Sequence, residues 1–106
     1  MEENKPNIIH VSATYVDEDI FLEYGRYRDG AIAIQGFTTE GEASFTATVA
    51  LPDETPNDGF VFLKGWSENE GIPEALEKAG IVQLTGRKIS AGYAYAQEAK
   101  LLVDIE

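Results

Sequence analysis

Among the side chains most used in catalysis, this 106-residue sequence has a single imidazole, no thiol and nineteen carboxylates. Without cysteine, thiol nucleophiles, disulfide frameworks, iron–sulfur clusters and thiolate zinc sites are excluded. His10 is the only residue that could serve as an imidazole base or ligand, and no second ligand stands at a metal-binding spacing from it. Preceded by Ile8-Ile9, it reads as a structural strand histidine. The pairs Glu68/Glu70 and Asp17/Asp19 have the residue types of a glycosidase couple, but nineteen acids in 106 positions produce such pairs by chance. A phosphate-cradling G-x-x-x-x-G-K-[ST] loop is absent. The sequence therefore assigns no catalytic residue, no metal ligand and no cofactor, and predicts a protein that is not an enzyme.

Binding chemistry is denser. Lys64-Gly65-Trp66-Ser67-Glu68-Asn69-Glu70-Gly71 holds the only Trp of the chain between two glycines. Lys64, Trp66, Ser67, Glu68 and Asn69 are candidate interaction residues, because tryptophan is enriched at binding hot spots and loops at element junctions carry contacts. The competing reading, which we favour, packs Trp66 over the edge of the core and uses Ser67 to Glu70 to cap a helix. A second candidate surface is electrostatic. The formal net charge is −11, and no Lys or Arg occurs between Arg28 and Lys64, a span that contains Glu40, Glu42, Asp53, Glu54 and Asp58. These five acids could form one face imitating the phosphates of DNA, although solvated turns would look the same and are favoured. Direct nucleic-acid binding is not expected from so acidic a chain. Tyr15, Tyr24, Tyr27, Tyr93 and Tyr95 accordingly read as cross-strand packing rather than a stacking platform for bases.

The elements that must position these residues are mostly strands. Residues 7–16 are rich in β-branched types and end at Asp17-Glu18-Asp19. Residues 20–28 and 31–38 flank Asp29-Gly30, a two-residue hairpin signal. That turn would pair Tyr27 with Ile32 and Leu22 with Phe37, which switches the apolar face along the hairpin, and a bulge at Gly25 and Gly36 would have to absorb the switch. Residues 42–51 alternate Ala43, Phe45, Ala47, Val49 and Leu51 with polar partners, the clearest strand in the chain. An acidic loop with Pro52 and Pro56 follows, then a short apolar strand at 60–64. One helix is predicted over about residues 70–79. Ser67 and Glu70 have capping-box spacing, Pro73 suits the first turn, and Ile72, Ala75, Leu76 and Ala79 form an apolar stripe. Gly80 suits the left-handed residue of a Schellman motif with Ile81 beyond it. Residues 81–85 and 87–90 read as strand on either side of Gly86, and a last strand runs from Tyr93 to Val103.

The length fits one domain, 1–106, with residues 1–6 as a flexible lead-in. The expected class is α+β: a largely antiparallel, twisted sheet of six or seven strands with the short helix on one face. No apolar run is long enough to cross a membrane, and the polar, acidic start has no export signal, so the cytoplasm is the expected location.

Several stretches also resemble a family. Lys64-Gly-Trp-Ser-Glu-Asn-Glu-Gly, Glu74-Ala-Leu-Glu-Lys-Ala-Gly-Ile-Val, Thr85-Gly86-Arg87 and Ser90-Ala-Gly92-Tyr93 are similar to a family of small uncharacterised bacterial proteins associated with plasmids, phages and other mobile elements. Gly25-Arg-Tyr-x-Asp-Gly and Val49-Ala-Leu-Pro extend the likeness. The resemblance carries no activity and no site residues. It adds a setting to the expectation of a non-enzymatic accessory domain that contacts a protein partner of basic character. The alternative is an acidic DNA mimic that inhibits a host restriction or CRISPR nuclease.

Overall fold

A computed structural model describes residues 8–104. The lead-in proposed for residues 1–6 lies outside them. The described chain is α+β, but its strands form two antiparallel sheets rather than one. The first orders β1 (Ile8–Ser12), β2 (Asp17–Arg26), β3 (Ile32–Thr38) and β4 (Ala43–Thr46) side by side. The second places β7 (Ala94–Leu101) between β5 (Phe60–Leu63) and β6 (Val82–Ala91). Between β5 and β6 lie a 3₁₀ turn, Ser67–Asn69, and the helix α1, Ile72–Lys78.

The split arises inside the stretch that reads as one strand from 42 to 51. Pairing with β3 ends as the Ala47 N–H donates to the Ile34 carbonyl at 2.8 Å. The same residue's carbonyl accepts from Lys64 N–H at 2.8 Å, and Val49 N–H donates to Phe62 at 3.0 Å, so the chain passes from the first sheet to the second. Thr48 marks the crossing with an isolated bridge to Leu63. Its buried hydroxyl accepts from Ile34 N–H at 3.1 Å and lies 2.9 Å from the Tyr27 hydroxyl, standing in for a ladder partner.

The β2–β3 hairpin removes the parity conflict by its register. Arg26 pairs with Ile32, Tyr24 with Ile34, Leu22 with Gly36 and Phe21 with Phe37. This is one residue off the register of a two-residue turn. Gly30, at φ 90°, is the third residue of a three-residue loop in which Gly30 N–H donates to the Tyr27 carbonyl and Tyr27 N–H to the Ala31 carbonyl. Ile20, Leu22, Ile32 and Ile34 then share one buried face without any bulge in this pair. The irregularity sits one strand over, between Gly36 and Phe37 against β4. There the Phe45 ring lies over Gly36, where an added Cβ would come within 2.5 Å of it. Asp17, Glu18 and Asp19 are not a turn but the start of β2, because the chain reverses earlier, with Ala13 N–H donating to the Val16 carbonyl. The two stretches expected as strand on either side of Gly86 form the single strand β6, in which residues 85–87 bulge opposite Glu98.

One core joins the sheets and the helix, drawing on Val11, Ile20, Ile34, Phe45, Val61, Leu63, Leu76 and Val82. The helix packs against β1 and β6, the outer strands of the two sheets. It begins at Ile72 rather than 70, and the capping box does not form: Ser67 enters the 3₁₀ turn with φ 55°, and Gly71, at φ 87°, is the N-cap. The C-terminus follows the Schellman pattern, with Ile81 N–H bonded to the Leu76 carbonyl and Gly80 N–H to Glu77, each at 3.0 Å.

Candidate functional site

The second sheet has apolar residues on both faces. Val61, Leu63, Val82 and Ala99 face the main core, while Phe62, Ile89 and Ala96 form a separate cluster on the opposite face. Strand alternation makes this double burial possible, and the chain after the crossing covers the second cluster with Val49, Leu51 and Trp66. The cover is held down by charge. Arg87 bridges Glu54 of the acidic loop to Glu98, which is buried and also accepts from the Thr85 hydroxyl at 2.9 Å. The β6 bulge is what brings Thr85 and Arg87 to the same carboxylate.

Between this cover and the end of the β6–β7 hairpin lies a cleft of about 510 Å³. Val49, Leu51, Trp66 and Ile89 line it with apolar surface, and Asp53 and Glu54 stand at its acidic side. Trp66 is half-buried: part of the indole packs on the second cluster and part lines an open cleft. Lys64 Nζ sits 5.8 Å from the indole centroid and 2.8 Å from the Glu68 carboxylate. That hydrogen bond holds the Glu68 carboxyl below its usual range.

The loop candidates therefore divide. Lys64, Trp66 and Glu68 form one linked group, and Ser67 is exposed at the 3₁₀ turn. Asn69 is buried, and its amide donates to the carbonyls of Thr46 and Lys64. It is a brace of the loop and not part of its surface. Nothing in the residue type separated these roles, since Asn serves turns and binding sites equally.

The five candidate acids are not brought together. Glu40 and Glu42 lie in and just after the β3–β4 turn, whereas the loop of Asp53, Glu54 and Asp58 packs by the β2–β3 turn, with the Thr55 hydroxyl 3.4 Å from Asp29. These turns are at opposite ends of β3, roughly 20 Å apart at about 3.3 Å per residue. Glu54, moreover, is engaged by Arg87. The tyrosines divide as well. Tyr24 packs on the core and Tyr27 bonds to Thr48, but Tyr15, Tyr93 and Tyr95 are exposed, which corrects the expectation of cross-strand packing for those three.

His10 has partners that the spacing did not reveal. Pairing of β1 with β2 sets it opposite Asp19, and its ring nitrogens lie 2.9 Å from Asp19 and 2.9 Å from Asp17. With each nitrogen facing a different carboxylate, the arrangement suits a protonated ring donating twice. Those two hydrogen bonds, Asp19 first, raise the His10 pKa above 6.5. The stabilisation is thus fully present below pH 6.5 and is lost as pH rises through the higher folded value. An NMR titration of the imidazole is expected to give a value above 6.5 that falls further in Asp19→Asn than in Asp17→Asn. A wild-type value at or below 6.5 would contradict the pairing.

No family model, curated protein or solved structure matches the chain, so its site is read from its own residues.

Proposed function

We propose that this is a non-enzymatic accessory domain acting through protein–protein contact, with the Trp66 cleft receiving an apolar side chain of the partner. The observation that supports it is the half-buried Trp66 beside an apolar, open cleft walled by Val49, Leu51 and Ile89. The acidic side at Asp53 and the overall charge of −11 favour a partner of basic character. A cytoplasmic setting, and one linked to mobile elements as the likeness over Lys64 to Tyr93 implies, belong to the same proposal. The alternative of an acidic DNA mimic is less favoured, because Glu40 and Glu42 lie at the other end of β3 from Asp53 and Asp58.

Two variants test the reading by affinity capture from host lysate followed by mass spectrometry. Trp66→Ala is expected to lose the partner while costing only about 1–2 kcal/mol of stability, because part of the side chain is already in water. Ser90→Trp is expected to fill the cleft from its rim and to lose the same partner without removing any core atom. A partner retained equally by both variants, or no specific partner at all, sinks the reading.

A further inference from the structure

The first sheet differs from the second in having one face that no other element covers among the described residues. Its inner face carries Ile20, Leu22, Ile32 and Ile34 into the core, so alternation turns Phe21, Glu23, Gln35 and Phe37 outward. Ile8, Phe21, Phe37 and Ala43 are successive cross-strand partners, forming an apolar row over all four strands. Ile8 is 40% exposed and Phe21 39%, with Phe37 half-buried beside it. Phe21 and Phe37 floor a groove of about 550 Å³ whose polar lining includes Glu23 and Glu40.

We propose that this groove docks a basic, extended segment of a partner protein, with an arginine or lysine side chain lying over the Phe21 and Phe37 rings and pairing with Glu23 and Glu40. Charge complementarity carries the choice of occupant. Both carboxylates are exposed and make no hydrogen bond or ion pair among the described residues. No outward-facing residue of the sheet is Lys or Arg, and its one basic group, His10, is held by Asp17 and Asp19. An aromatic floor with free carboxylates beside it matches a cation on an aliphatic stem: the stem covers the rings, the charged head lies over them, and the acids accept its N–H groups. A second copy of the chain fits poorly, since it would bring the same unpaired carboxylates against one another. The groove lies on the other sheet from the Trp66 cleft, so this inference stands apart from that reading.

The test titrates ¹⁵N-labelled full-length protein with a capped synthetic peptide alternating arginine and leucine. A glutamate–leucine peptide and an arginine–serine peptide serve as comparisons. Shifts are expected to concentrate in β2, β3 and the Thr39–Gly41 turn for the arginine–leucine peptide alone. The double variant Glu23→Gln/Glu40→Gln is expected to weaken binding about tenfold, and Phe21→Ser by a similar factor with an unchanged urea midpoint. Trp66→Ala and Asp53→Asn/Asp58→Asn are expected to bind within twofold of wild type. Shifts spread evenly over all acidic segments, equal binding of the arginine–serine peptide, or unchanged affinity in the Glu23/Glu40 double variant would overturn the proposal. So would a wild-type dimer in sedimentation equilibrium that Phe21→Ser dissociates.

Discussion

Replacing Leu76 by Ala is expected to cost about 2–5 kcal/mol, measured as a drop in the urea midpoint at constant slope. The size follows from where the helix sits. With only seven residues, Ile72–Lys78 is too short to be stable by itself and depends on its buried face. It packs between β1 and β6, and Leu76 is its largest wholly buried aliphatic side chain along with Ile72. The surrounding core belongs to both sheets, so a cavity there is lined by strands that are themselves fixed by hydrogen bonding and cannot easily collapse into it. Against a total stability of about 5–15 kcal/mol for a domain, the loss is large. Leu76→Met, which preserves volume, is expected to cost less than about 1.5 kcal/mol. A loss below about 1 kcal/mol in Leu76→Ala would mean that the helix does not dock through this side chain.

The helix was legible because its signals are local. The stripe of Ile72, Ala75 and Leu76, the proline at the first turn and the left-handed Gly80 all act within one or two turns of chain and stand where the spacing puts them, whereas Ala79, the fourth member of the predicted stripe, is the exposed C-cap. Its start, at Ile72 and not 70, differs from the expectation for a related reason. Ser67 and Glu70 have capping-box spacing, but Gly71 takes the N-cap and frees Ser67 for the preceding 3₁₀ turn. The β2–β3 register shows a different limit. Asp29-Gly30 fits both a two-residue turn and the end of a three-residue loop, and the loop wins because it alone puts Leu22 and Ile34 on the same buried face. The conflict in parity was visible in the sequence, and the one-residue shift is its solution.

The division into two sheets was not legible. Ala43, Phe45, Ala47, Val49 and Leu51 recur at period two, yet the irregularity at Gly36/Phe37 leaves Ala43 exposed on the outer face, Phe45 and Ala47 serve the main core, and Val49 and Leu51 the second cluster. Period-two patterning reports that alternate residues are covered, not which layer covers them. The candidate sites divide along the same line. Trp66 stood out by residue type, and the cleft beside it is a product of the crossing that the pattern concealed. The Phe21–Phe37 pair is not legible in the sequence, because its members are separated by a hairpin and meet only in the observed register. His10 gained its two carboxylates in the same way, from strand pairing rather than sequence spacing.

Asn69 carries the second large effect. It is 1% exposed, and its amide reaches the Thr46 carbonyl at 2.7 Å and the Lys64 carbonyl at 3.2 Å. Thr46 ends β4 and Lys64 follows β5, so one side chain ties the two sheets together beside the crossing. Asn69→Leu keeps the branched shape and heavy-atom count of the side chain, in a bulkier form, while removing both N–H donors. The expected cost is about 1–3 kcal/mol for each carbonyl left without its donor, comparable in total with Leu76→Ala. Asn69→Asp is expected to be worse than Asn69→Leu at pH 7, since it turns a buried carboxylate toward two carbonyl oxygens. Urea unfolding of both variants checks the order. If Asn69 were instead a surface contact of the Lys64–Gly71 loop, Asn69→Leu would weaken partner capture and leave the unfolding midpoint in place. The buried amide predicts the opposite ranking, in which stability falls first and any loss of capture follows from the loosened loop.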